Sequence, residues 1–186
     1  MLRTFSMSNA PNALQLLMKT QQSSGKQTKS GHSILKGPDT IEEMSCYLLQ
    51  FDGLSDPNPG TSTAGAVLFS PSSRNVVFER GEFIESATNN QAEYTGLLIG
   101  IQSAIDFGIK ELLIEGDSQL VIFQVEGKWK VKNEGLKLLN KKVVELLKQF
   151  DFVALRHIYR DNNGHADRIT NDVLKQRKSF FKKTEV

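Results

Sequence analysis

The chain has 186 residues, a hydrophobic fraction of 39%, a charged fraction of 24% and a formal net charge of +2. That is enough for one domain with a core and a tail, and no apolar run approaches the 18 or so residues that span a bilayer. The lone cysteine, Cys46, excludes an internal disulfide and a cysteine-rich zinc site, and favours an intracellular, reducing compartment.

Charge is unevenly placed. The first 45 residues carry five basic side chains and three acidic ones, leaving 18 of each sign for the rest. A neutral domain is not the profile of a strong non-specific DNA binder, so any grip on nucleic acid must come from a local patch. Residues 1–44 read as a basic, disordered extension: QQSSGKQTKSGHS is polar and too poor in apolar residues to fold alone. NALQLLMKT before it has the pattern of a short amphipathic helix. No acid precedes Asp39, which also fits a mitochondrial presequence, although Arg3 is the only arginine there. The compartment therefore stays open among cytoplasm, nucleus and mitochondrion.

The pattern changes at Cys46. CYLLQFDG reads as a buried strand ending in turn residues, and residues 63–70 and 75–84 as two more. PSSR between those two has hairpin length, so they should pair antiparallel. A helix follows over 89–107, with Leu97, Ile101, Ala104 and Ile105 at helical spacing and Gly108 placed to end it. KELLIE is a fourth strand, 117–125 a short helix, and 134–149 a long helix striped by Leu136, Leu139, Val143, Leu146 and Leu147. FVALRHIY is a fifth strand and 163–177 the last helix. This order predicts an α/β domain over 45–178: a five-stranded mixed sheet, three antiparallel strands and then parallel ones, flanked by helices. Residues 179–186 read as a basic tail.

Four carboxylates stand at the boundaries of these elements: Asp52 in FDGLSDPNPG, Glu93 in TNNQAEY, Asp117 in EGDSQL and Asp167 in NNGHADRITN. Three of the four blocks have a plain structural reading. DPNPG makes a hairpin turn, Glu93 suits a helix dipole, and Asp117 suits an N-cap. Gathering all four at one point makes sense chiefly with divalent cations between them.

In their order and neighbours, these blocks resemble type 1 ribonuclease H over residues 46–177. Asp52-Gly53 with Asn58-Pro59-Gly60 is similar to the family's first-strand block. Asn89-Asn90-Gln91-Ala92-Glu93 is similar to its Asn-Asn-x-x-Glu, and ADRITN to its Ala-Asp-x-Leu-Ala-Asn. The resemblance implies a ribonuclease H-like fold and an endoribonuclease that hydrolyses the RNA strand of RNA–DNA hybrids, leaving 3′-hydroxyl and 5′-phosphate ends. It implies Asp52, Glu93, Asp117 and Asp167 as catalytic residues and ligands to two Mg²⁺ ions, with Mn²⁺ able to substitute, and a protein that works as a monomer away from membranes. Asn58, Thr88, Asn89, Asn90, Gln119 and Asn163 would face the hybrid, the asparagines partly reading ribose 2′-hydroxyls. An auxiliary group beside the metals is expected from Arg160, seven residues before Asp167, from His157, ten before it, or from the adjacent His165. Rival readings are a ribonuclease H-like nuclease acting on another duplex and a hybrid-binding module without turnover.

The chain departs from the family in one segment. Most of the basic protrusion that many members carry is missing; VEGKWKVKNEG keeps only Lys128, Trp129, Lys130 and Lys132. Trp129 either stacks on the hybrid or packs between helices.

Overall fold

The computed structural model describes residues 45–184. The expected N-terminal extension lies outside the described residues. Strand β1 (Tyr47–Ser55) pairs antiparallel with β2 (Gly60–Phe69), which pairs antiparallel with β3 (Val76–Ala87). β4 (Glu111–Gly116) runs parallel to β1, and β5 (Phe152–His157) parallel to β4. The expected meander and crossovers are therefore present.

The sheet has six strands, not five, in the order β5-β4-β1-β2-β3-β6. β6 (Phe180–Lys183) comes from the segment expected to be a tail and pairs with β3, Phe78 opposite Lys183 and Gly81 opposite Phe180. The unpaired edge of β3 supplies its hydrogen bonds, and Phe181 stacks near Phe78 and Phe107 at ring-centroid distances of 5.8 and 6.2 Å.

Helix α1 (Asn89–Asp106) is buried along much of its circumference, because it lies between the sheet and α3 (Glu134–Leu147). Its stripe of Leu97, Ile101 and Ala104 meets Leu49, Phe51 and Ala66 in the main core. A fully buried ring such as Phe51 contributes about 1.5–3 kcal/mol. Buried Tyr94 ties three helices together: its hydroxyl donates to Gln124 of α2 (Gln119–Val125) at 2.9 Å and accepts from Asn140 of α3 at 3.2 Å. Gly108, at φ +74°, closes α1 in the left-handed region that glycine adopts without strain. Helix α4 (Gly164–Gln176) covers the opposite face, where Ala166 and Ile169 pack on Val67 and Phe69. The result is three layers with β1 at the centre.

Two glycines bring the helical layer onto that centre. A Cβ at Gly53 would lie 2.1 Å from the Glu93 nitrogen, and one at Gly96 would lie 2.4 Å from the Asp52 carbonyl oxygen. Helix α1 thus rests on bare backbone of β1, and this contact sets the distance between the elements carrying Asp52 and Glu93.

Candidate active site

Asp52 is not at the end of its strand, as the sequence suggests, since β1 continues to Ser55. The parallel pairing with β4, however, stops at Phe51 opposite Gly116. Asp52 and Asp117 are therefore the first residues past that pairing on neighbouring strands, at the carboxyl edge where α/β sheets present ligands. Asp117 is not a helix cap; Ser118 holds that position. Glu93 reaches the same point from the first turns of α1, passing over Gly53, which has no side chain to block it.

Ligand oxygens of Asp52, Glu93 and Asp117 all lie within 4.8 Å of one another. Asp52 and Glu93 are 7% and 6% exposed, and Glu93 Oε2 is buried without a hydrogen-bond partner. Burial raises the pKa of Asp52 above the ordinary value, and the charges of Asp117 and Asp167 add to the rise; the Thr170 hydroxyl and Gly53 amide oppose it. Glu93 is pushed well above the usual carboxylate range, first by burial and then by repulsion from Asp52 and Asp117, with Arg160 pulling the other way. Three crowded carboxylates with an orphaned oxygen fit a hard divalent cation and are costly without one.

Asp167 sits in the first turn of α4 and lines the same cavity, but its carboxylate is outside that trio. Oδ1 accepts from Arg160 Nη2 at 2.7 Å, and Oδ2 accepts from Asn171 Nδ2 at 3.0 Å. Arg160, on the 3-10 turn Arg160–Asn162, is the auxiliary candidate that the fold places at the carboxylates. His157 ends β5 instead of lying within it, and its Nε2 donates to the Asp117 carbonyl at 3.1 Å. Its ring also neighbours Phe123 and Tyr159, which makes it a support for the Asp117 backbone. His165 stacks on Phe69, 5.2 Å between centroids.

The polar residues expected to face a hybrid divide. Asn163 does not face outward: it is fully buried, and its amide donates to the Phe51 carbonyl and to Asp117 Oδ1, each at 2.8 Å. It orients a carboxylate and makes no side-chain cap for α4. Thr88, not Asn89, caps α1, in a capping box with Gln91. Asn58 Oδ1 accepts from the Asn89 amide at 3.0 Å and Asn89 Oδ1 from the Ser55 amide at 3.2 Å, locking the β1–β2 turn to the start of α1. Asn90 and Gln119 are exposed nearby in sequence. Trp129 meets Phe123 edge-on at 5.1 Å, which is a packing contact, and keeps 45% of its surface exposed.

Two supporting residues went unnoticed in the sequence. The Thr170 hydroxyl lies 2.8 Å from Asp52 Oδ2 and 2.8 Å from the Asp167 carbonyl, sharing one proton between two acceptors. Asn171 holds Asp167. The available signal was a polar residue at position 170, inside the buried stripe of Ala166, Ile169 and Val173.

Comparison with known proteins identifies relatives of this fold. A family model described as reverse transcriptase-like matches residues 50–173. Ribonuclease HI of Halobacterium salinarum is 40% identical over 137 residues, 74% of this chain and 67% of that protein. The crystal structure of RNase H1 from that archaeon superposes with a TM-score of 0.68 at 38% identity, covering 70% of this chain and 98% of the other. Bifunctional protein Rv2228c of Mycobacterium tuberculosis is 37% identical over 127 residues, 68% of this chain but only 35% of that longer protein. LC11-RNase H1, solved in complex with an RNA/DNA hybrid, gives a TM-score of 0.67 at 27% identity, over 70% of this chain and 98% of its own. Matched by that family model over residues 50–173 and by these relatives in sequence and fold, the chain belongs to the type 1 ribonuclease H family.

Proposed function

We propose that this chain is an endoribonuclease that hydrolyses the RNA strand of RNA–DNA hybrids with divalent metal, releasing 3′-hydroxyl and 5′-phosphate ends. The observation that carries the reading is the convergence of Asp52, Glu93 and Asp117, with Asp167 on the rim of the same cavity. The hybrid bound to LC11-RNase H1 supports the substrate class.

Asp52, Glu93, Asp117 and Asp167 would hold the metal, and their oxygen donors suit Mg²⁺, with Mn²⁺ as a substitute. Bound divalent cations supply Lewis acidity at the phosphate and lower the pKa of coordinated water. The protein's own contribution is placement. Thr170 and Asn163 fix Asp52 and Asp117, and Glu93 brings a carboxylate that burial leaves ready for a cation. Asn58 and Asn89 use their oxygens on backbone amides, so their amide nitrogens are what they offer to a nucleic-acid strand. Exposed Lys130 and Lys132 and half-exposed Trp129 provide a short phosphate-and-base contact in place of a full protrusion. Among the described residues no helix is long and apolar enough to cross a membrane.

The test is incubation of an end-labelled RNA–DNA hybrid with the protein and Mg²⁺. Internal cuts confined to the RNA strand, and lost in Asp52→Asn, are expected. An uncut hybrid, or single-stranded RNA cleavage that survives Asp52→Asn, refutes both the substrate and the site.

A further inference from the structure

We infer that Arg160 is an internal counter-cation that holds Asp167 out of the metal-binding trio, so that full metal loading proceeds by exchange with its guanidinium. This rests on the metal-dependent reading above and concerns the order in which the same site fills. Three carboxylates are already gathered within 4.8 Å. The fourth lines the same cavity, yet both of its oxygens are engaged elsewhere, by Arg160 and Asn171.

The way Arg160 is mounted suits reversible exchange. Its side chain is 73% exposed, and an exposed ion pair is inexpensive to break. The turn beneath it is firmly seated: the Asn162 carbonyl accepts from Gln50 Nε2 at 3.2 Å, and Gln50 also donates to Glu115 at 3.1 Å. Glu115 in turn pairs with Arg156 at 3.3 Å, across the matched register of β1, β4 and β5. Buried Asn163, the next residue in the chain, anchors the same end of the turn to the Phe51 carbonyl. The guanidinium can therefore swing away while the backbone stays in place. Asp167 would then be free to turn toward a cation beside Asp52, whose charge offsets the repulsion between the two carboxylates.

The first cation thus meets a preformed trio, and the second competes with an arginine. Arg160 is a positioning residue that acts through Asp167. When the second cation departs, the same pair re-forms and returns the site to its one-cation state.

The experiment titrates the full chain with Mn²⁺, free ion being counted by electron paramagnetic resonance, without nucleic acid. Wild type should show one tighter and one weaker binding event. Arg160→Ala and Arg160→Gln should each tighten the second event at least about fivefold and leave the first within about twofold. Arg160→Lys, which keeps the charge but not the fork, should fall between. In an Asp167→Asn background the Arg160 substitutions should have no effect. Equal tightening of both events would mean only a general charge effect and would overturn the exchange, as would no tightening, or an effect that persists with Asp167→Asn. A first event that is normal while the second fails these criteria leaves the metal-dependent reading standing and removes the exchange alone. No Mn²⁺ binding at all overturns both.

Discussion

The two halves of the carboxylate site are built differently. Asp52, Glu93 and Asp117 come from β1, α1 and the end of β4, elements joined by backbone contact and core packing, and the first two are buried. Asp167 comes from α4 on the opposite face and is held by an exposed arginine. The buried half exists before any ligand arrives and carries the electrostatic strain. The exposed half is adjustable and carries little. A site divided in this way separates affinity for a cation from control over how many are bound.

The largest effect should come from breaking the rigid half at its backbone. Gly53→Val puts side-chain atoms where the Glu93 backbone lies 2.1 Å away, with no flexible neighbour to yield. Denaturant unfolding should show a loss of at least about 3 kcal/mol, whereas Asn171→Ala on the adjustable half should cost under about 1 kcal/mol. Comparable losses would mean that the halves are not mechanically distinct.

Removing the donor to Asp52 comes next. Thr170→Val keeps the shape but deletes the hydroxyl, and divalent-ion affinity by calorimetry should fall about tenfold or more. Thr170→Ser should recover most of it. If Val and Ser behave alike, the hydroxyl does not position Asp52.

The strain itself is visible through pH. Burial raises the pKa of Glu93 above its ordinary 4.5, so its contribution to stability is present below that value and is lost as pH climbs through the folded one. Metal-free Glu93→Gln should therefore be more stable than wild type at neutral pH. Its advantage should shrink as pH is lowered toward 4.5 and reverse when Mg²⁺ is added. A difference independent of pH would show that the buried trio is unstrained.

The smallest effect concerns substrate grip. Trp129→Ala should raise the KM for hybrid several-fold with kcat nearly unchanged, since a stacking base contributes about 1–3 kcal/mol and the ring is only partly exposed beside Phe123. A fall in melting temperature without a KM change would assign Trp129 to packing alone.

The rigid half was also the more legible one. Apolar runs before Asp52 and Asp117 and the spacing of Leu97, Ile101 and Ala104 each specify an element, and elements that pack on one core bring their ends together. What the sequence hides, in either half, is the set of side chains that hold the carboxylates, which are distant in sequence or buried in helix faces. Asn163 looks like a substrate contact until Asp117, 46 residues away, is seen to take its amide. His157 has the spacing of an auxiliary group until its ring is found on a carbonyl. Strand β6 was illegible for a third reason. Phe180–Lys183 is four residues long and mostly exposed, so it carries no periodic signal of its own and is strand only because β3 offers an edge.

The glycine contact between α1 and β1 has a consequence for ion size. Side chains can yield to a larger ligand, but backbone against backbone cannot, so the spacing of the two backbones that carry Asp52 and Glu93 is nearly fixed. Mg²⁺ takes oxygens at about 2.0–2.1 Å and Ca²⁺ at about 2.3–2.6 Å. With those backbones fixed, any latitude for the larger ion would have to come from rotation of the carboxylate side chains and from the side of Asp167.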